Sequence, residues 1–179
     1  MSASLKPLTV AEFLTWERAQ PRRYEFDGIQ PVAMTGGSRE HSRVGTKLIV
    51  ALAPLLRPQC EVFGADLKVL TEGRVRYPDA SVVCADDGDD ASDTITPTVV
   101  FEVLSPSTAL TDRRVKAAEY AGVSTILAYV MLEPDAPEVT VRRRSTGWLA
   151  EFVEGLGANL ALPEIDVTIP LATIYARRT

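Results

Sequence analysis

An α/β (α+β) fold is predicted, and three features of the chain predict it. Two apolar runs, residues 75–83 and 98–105, are dominated by β-branched and aromatic side chains and bounded by turn formers, which reads as strands. Residues 39–57 instead repeat Val44, Leu48, Leu52, Leu55 and Leu56 at helical spacing. Strand-like and helix-like segments alternate along the chain without repeats, low-complexity stretches or a linker-like composition. One mixed domain spanning residues 1–179 is therefore expected.

In chain order, Thr9 and Glu12 form a capping box that opens a short helix with Phe13, Leu14 and Trp16 on its apolar side, and Pro21 ends the segment. Residues 23–34 carry two short apolar arms around Asp27-Gly28, a favoured hairpin turn, with Glu25 on the first arm. Ser38 is a natural N-cap for the helix over 39–57, which Pro58 should stop. Arg39, Arg43 and Lys47 recur every four residues on one side of it, and His41, the only histidine, lies near its start. Residues 60–70 read as one strand, and Glu72-Gly73 turns the chain into the strand that carries Asp79.

An acidic loop with Asp86, Asp87, Asp89, Asp90 and Asp93 leads to the strand that carries Glu102. A helix is expected over 111–120, with Asp112 and Lys116 four residues apart on one face and Gly122 as its C-cap. Strands are expected over 125–132, 139–143 and 148–153, with Gly147 in the last turn, followed by a tail over 163–175.

Composition narrows the classes. With 46% hydrophobic and 24% charged residues the chain has the balance of a globular protein, not a disordered one. No apolar run approaches the roughly 18–20 residues that span a bilayer, and the N-terminus does not resemble a signal peptide, so a cytoplasmic protein with no membrane partner is expected. Cys60 and Cys84 show no metal-ligand spacing and read as free buried thiols. The net charge of −5 counts against general high-affinity nucleic-acid binding, although five acids concentrated in one loop leave room for a basic face elsewhere.

The chemistry centres on two carboxylates in apolar strands. A charge there is costly unless it is paired or coordinates a metal. Asp79 follows Pro78, which cannot donate to a sheet ladder and so belongs at a strand start or edge. Glu102 lies inside Val-Val-Phe-Glu-Val-Leu. If the two strands are neighbours, the carboxylates converge into a hard-oxygen site for a divalent cation, with Glu25 as a third acid and Lys116 to stabilise charge on a phosphate. Each has a plainer reading: Glu25 as an exposed hairpin acid, Asp79 as a turn residue, Lys116 as a solvated lysine paired with Asp112.

Of the other candidates, His41 is peripheral, a surface residue or one that supports the site. The row Arg39, Arg43, Lys47 could track a phosphate backbone or simply be a solvated helix face. Arg113 and Arg114, beside Lys116, are the favoured phosphate contacts. Strand alternation would scatter Arg142, Arg143 and Arg144 to opposite faces. The acidic loop lacks the ligand order of a calcium-binding hand, and Ser105, Ser107 and Thr108 have no Ser-His-Asp partner pattern.

Pro78-Asp79 followed by Glu102-Val103-Leu104 resembles the Pro-Asp…(Asp/Glu)-X-Lys signature of the restriction-endonuclease-like nuclease superfamily. Residues 101–108 with Asp112, Lys116 and Tyr120, together with residues 24–28 and the Ser38-x-x-His41 helix start, resemble the narrower Uma-type family of restriction-endonuclease-like proteins, in the same order from about Thr9 to Leu132. The resemblance implies a restriction-endonuclease-like core of mixed sheet flanked by helices, Asp79 and Glu102 as ligands of Mg²⁺ (or Mn²⁺), and Glu25 as an additional acid. The signature lysine position holds Leu104; in the narrower family the lysine comes from the following helix, here Lys116.

The expected function is thus a Mg²⁺-dependent endonuclease hydrolysing phosphodiesters of DNA. The alternative is a nuclease-fold module without activity that binds nucleic acid or a protein, and a third reading is a hydrolase of small phosphoesters. A homodimer is compatible with the apolar terminal strands, without a defined interface.

Overall fold

The computed structural model describes residues 8–34, 36–84, 93–105 and 112–177, with the side chains of Asp112 and Arg113 left out. The first helix, α1 (Val10–Glu17), begins as its capping box requires: Thr9 accepts from the Glu12 N–H at 3.2 Å and Glu12 reaches back to the Thr9 N–H at 2.7 Å. Strands β1 (Tyr24–Phe26) and β2 (Pro31–Ala33) pair antiparallel around the Asp27-Gly28 turn, where Gly28 has φ +91 and Asp27 Oδ1 accepts from the N–H groups of Ile29 and Gln30.

Helix α2 (Arg39–Leu52) is capped by Ser38, whose side chain accepts from the His41 N–H at 3.1 Å, and buries Val44, Leu48, Ala51 and Leu52. It ends earlier than expected. Pro54 lacks the N–H that the next helical bond needs, so the chain tightens into a 3₁₀ turn at Ala53–Leu55 before Pro58 is reached.

Two predicted strands each divide in two. Residues 60–70 form β3 (Glu61–Gly64) and β4 (Val69–Thr71); residues 74–83 form β5 (Arg74–Arg76) and β6 (Ala80–Val83). In both, the first and second halves belong to different sheets: a four-stranded sheet ordered β2-β1-β5-β4 takes β4 and β5, and a six-stranded one takes β3 and β6. Pro78 is the physical reason for the second break, since a residue without an N–H cannot carry one ladder through.

The six-stranded sheet continues through β7 (Val99–Val103), β8 (Ala128–Leu132), β9 (Glu138–Arg143) and β10 (Ala150–Glu154), in the order β10-β9-β8-β7-β6-β3. Only β7 and β8 run parallel, and the chain between them supplies the crossover: a π turn at Asp112–Lys116 leading into α3 (Ala117–Gly122). The expected uniform helix over 111–120 is therefore a wider π turn followed by a short α-helix. A hairpin of β11 (Asn159–Leu162) and β12 (Val167–Pro170) and the short helix α4 (Leu171–Tyr175) complete the chain.

Alternation along β7 sorts the core. Val99, Phe101 and Val103 pack with α2, α4 and the β11–β12 hairpin on one face, whereas Val100 and Leu104 pack with Tyr120 of α3 and with Tyr129 and Met131 of β8 on the other. A third cluster, Phe13, Phe26 and Val75, fastens α1 to the smaller sheet, with the Phe13 and Phe26 rings stacked at 5.0 Å.

Cys60 and Cys84 are joined in a disulfide, which corrects the expectation of free thiols. Pairing of Glu61 with Val83 in the β3–β6 register places the two cysteines opposite each other one step further out, a juxtaposition their 24-residue separation does not reveal. The acidic loop expectation falls outside the described residues at Asp86, Asp87, Asp89 and Asp90, as do Ser107 and Thr108. Asp93 is described, and it pairs with Lys68.

Candidate active site

The pairing of β6 with β7 runs Ala80↔Phe101, so the next step of the same register sets Asp79 against Glu102. Cross-strand neighbours of this kind lie about 5 Å apart at Cβ, and like charges there repel unless something compensates them. Compensation comes from three elements. The Val103 N–H donates to Asp79 Oδ2 at 2.7 Å, and His41 Nε2 from the first turn of α2 lies 3.3 Å from the same oxygen. On the opposite side, Lys116 Nζ donates to Glu102 Oε1 at 2.9 Å and the Tyr120 hydroxyl donates to it at 3.1 Å.

Glu102 is 4% exposed and Lys116 5%, so this is a buried ion pair, not a surface one. The plainer reading of Lys116 as a solvated helix lysine is thus corrected: the crossover between β7 and β8 returns α3 over the sheet face that carries Glu102. The Tyr120 phenol is held well above its ordinary pKa, first by burial and then by the Glu102 carboxylate, which keeps it a donor.

Glu25 arrives from the other sheet. Its Oε1 accepts from the Tyr77 N–H at 3.3 Å and faces Lys116 Nζ at 3.2 Å, and its Oε2 accepts from Arg76 Nη1 at 3.0 Å. Arg76, a buried guanidinium on β5, gives two further donors to Glu119 of α3 at 2.7 and 2.8 Å, and Arg74 also pairs with Glu119. Burial opposes the charge on Arg76, but the bond to Glu119 and the charge of Glu25 raise its pKa; burial likewise works against the Glu119 carboxylate, which the two arginines nevertheless hold below the ordinary range.

The structure therefore brings Glu25, Asp79, Glu102 and Lys116 together, and adds His41, Arg76, Glu119 and Tyr120, which spacing alone left peripheral or unnoticed. His41 and Tyr120 carried a signal in the matched motif string; Arg76 and Glu119 carried none, because each is distant in sequence from what it touches.

The basic candidates do not gather there. Arg39 and Arg114 are exposed, Arg43 pairs with Glu40, and Lys47 donates to the Ala176 carbonyl. The Arg113 side chain lies outside the described residues. Arg143 binds Glu164 and Glu151, Arg144 donates to the carbonyls of Ala121, Val123 and Ile126, and Arg142 donates to the Trp148 carbonyl, so this cluster ties the fold together.

The residues open into a cleft of about 540 Å³, whose walls include Gly36, Gly37 and Ser38 at the start of α2. Among the described residues the cleft is lined by the carboxylates of Glu25, Glu40, Asp79, Glu102 and Asp135 and by the ammonium of Lys116, a balance that favours a cation. The donors are hard oxygens, the class that Mg²⁺ and Mn²⁺ prefer. No group of three or more His, Cys, Asp or Glu forms a complete metal site among the described residues. A pair of carboxylates fits Mg²⁺ nonetheless, because that ion keeps several waters and takes one or two carboxylates from a protein.

Among similar proteins, the uncharacterized protein slr1290 of Synechocystis sp. is 32% identical over 180 residues, covering 97% of this chain and 94% of its own. A second Synechocystis protein, sll1609, is 28% identical over 138 residues, covering 73% and 77%. The fold matches a crystal structure from Anabaena variabilis, described as "a putative nuclease belonging to DUF820", with a TM-score of 0.79 at 17% identity over 95% of this chain and 98% of that one. No helix among the described residues is long and apolar enough to cross a membrane. Residues 10–172 match the Uma2 family, described as "Putative restriction endonuclease", and the chain belongs to that family.

Proposed function

We propose that the protein is a divalent-metal-dependent endonuclease acting on DNA, with Asp79 and Glu102 as the residues that hold Mg²⁺ or Mn²⁺. The observation that carries this reading is the Lys116 ammonium at 2.9 Å from Glu102, supplied by the helix after the strand. Leu104 occupies the signature lysine position, two residues on from Glu102 and on the same sheet face, where it is 2% exposed and serves the core. The lysine has moved in sequence while its ammonium stays beside the carboxylates, which is what charge stabilisation at a phosphate requires.

When bound, the cation would polarise the phosphodiester and lower the pKa of a bound water. The chain's own residues prepare for it. The Val103 N–H orients Asp79, Tyr120 and Lys116 orient Glu102, and Glu25, with both oxygens engaged, supports the site by holding Lys116. His41 stands at 3.3 Å from Asp79, on the edge of the cleft that DNA would enter.

The test is cleavage of supercoiled and linear DNA in Mg²⁺ or Mn²⁺ by wild type, Asp79→Ala and Lys116→Ala. Metal-dependent cutting lost in Asp79→Ala and strongly reduced in Lys116→Ala supports the reading. Wild type that cuts neither substrate with either metal removes it. The second reading, a binding module without cleavage, draws on the buried Leu104 at the signature position; metal-independent DNA binding would favour it.

A further inference from the structure

The lysine that distinguishes this site hangs from a π turn and a helix of six residues. Its ammonium is held by Glu102 of the strand at 2.9 Å and by Glu25 at 3.2 Å, and an anchor on the helix itself would set the direction from which it reaches them. We propose that the buried Arg76–Glu119 pair is that anchor, positioning both Lys116 and Glu25 for the chemistry; this rests on the nuclease reading of the site.

The geometry forms a chain of charges whose two ends are joined by the backbone between Lys116 and Glu119. Glu119 lies three residues after Lys116, within one turn, and takes two donors of Arg76 at 2.7 and 2.8 Å. Arg76 passes a third donor to Glu25 at 3.0 Å, and Glu25 meets Lys116 at 3.2 Å, which returns to the same helix. This chain of charges joins β1 and β5 of the small sheet to α3 over the large one. Glu119 is countered by Arg76 and Arg74, Glu25 by Arg76 and Lys116, and Lys116 by Glu25 and Glu102.

The bidentate contact is directional as well as strong, because a planar guanidinium meets a carboxylate in one orientation. It therefore fixes the rotation of α3, and with it the direction in which Lys116 leaves the helix. Glu25 is set in the same way: without Arg76 its Oε2 loses its guanidinium partner, and the side chain is free to turn from the lysine. Arg74, half-exposed at the rim, braces Glu119 from the outside.

Labelling of lysines with acetic anhydride, read by peptide mass spectrometry, tests the proposal apart from any cleavage. Lys68 is the internal control, since it is equally buried but held by Glu17 and Asp93 in a separate network. Glu119→Gln and Arg76→Gln should each raise Lys116 labelling roughly tenfold, the order expected for loss of a charged hydrogen bond, while Lys68 stays within about twofold. The double variant should be no worse than either single one, because both break the same chain of charges. Arg74→Gln, at the rim, is the milder variant and should give a smaller rise in Lys116 labelling if the buried variants do not fold.

In wild type that cuts DNA, the same substitutions should lower kcat with little change in KM, and Glu119→Asp should recover part of the loss. Lys116 labelling that does not move in these variants, or that rises in step with Lys68, overturns the anchor. If wild type does not cut DNA yet Lys116 labelling rises alone, the anchor stands and the nuclease reading falls.

Discussion

Replacing Lys116 with Met keeps the stem and removes only the ammonium, so its effect isolates the buried charge. The lysine sits 2.9 Å from Glu102 and 3.2 Å from Glu25, with all three side chains largely shielded from water. At an effective dielectric of about 20 each attraction is worth roughly 5–6 kcal/mol before desolvation. The wild-type lysine is itself desolvated, so the net loss is smaller: breaking a buried pair and leaving its partner charged costs about 3–5 kcal/mol. With a urea m-value near 2 kcal/mol/M, the midpoint in EDTA should fall by about 2 M. Millimolar Mg²⁺ should recover more stability in Lys116→Met than in wild type, because a cation at Asp79 and Glu102 would counter the charge that the lysine left exposed. Urea denaturation followed by circular dichroism, with EDTA and with Mg²⁺, measures both quantities. A midpoint in EDTA within about 0.5 M of wild type would refute the reasoning, since that is the scale of a solvent-screened pair.

Three further outcomes follow from the same geometry. A Cβ on Gly37 would come within 2.7 Å of His41 Nδ1, so Gly37→Ala should push the ring from Asp79 and lower cleavage while shifting the melting temperature little; unaltered cleavage would show that His41 does not matter there. Glu119 and Asp93 are held below the ordinary carboxylate range, so their contribution is complete above about pH 4.5 and lost as pH falls through the depressed values; Tyr120 and Tyr77 are raised, so theirs is complete below about pH 10 and lost as pH rises further. Melting temperature against pH should show both limbs, with Glu119→Gln flattening the acid one and Tyr120→Phe the alkaline one. Closing a 24-residue separation with the Cys60–Cys84 bond should contribute about 3.5 kcal/mol, so dithiothreitol or Cys84→Ser should lower the urea midpoint; equal midpoints with and without reductant would show that the bond is not formed in solution.

Much was legible because its cause is local. The capping box at Thr9 and Glu12, the Ser38 cap, the Asp27-Gly28 hairpin and the apolar strand around Glu102 each rest on residues within a few positions of one another, and the structure has all four. Family membership was legible too, since the motif string keeps its order. Two boundaries were misread for equally local reasons that periodicity hides: Pro54 ends α2 before Pro58, and Pro78 divides a run that reads as one strand.

The site itself divides along the same line. The sequence by itself singled out the candidate residues: two carboxylates in apolar strands, a lysine four residues before Tyr120, an acid beside a hairpin. Only the tertiary structure decided who meets whom. Register across β6 and β7 set Asp79 against Glu102, the parallel crossover brought Lys116 back over Glu102, and the folding of one sheet beside another gave Glu25 the Arg76 that holds it and that Glu119 holds in turn. Cys60 finds Cys84 by the same route. Such contacts join residues from 14 to 91 positions apart, and no local pattern encodes a partner at that distance, because what selects it is the packing of the whole chain.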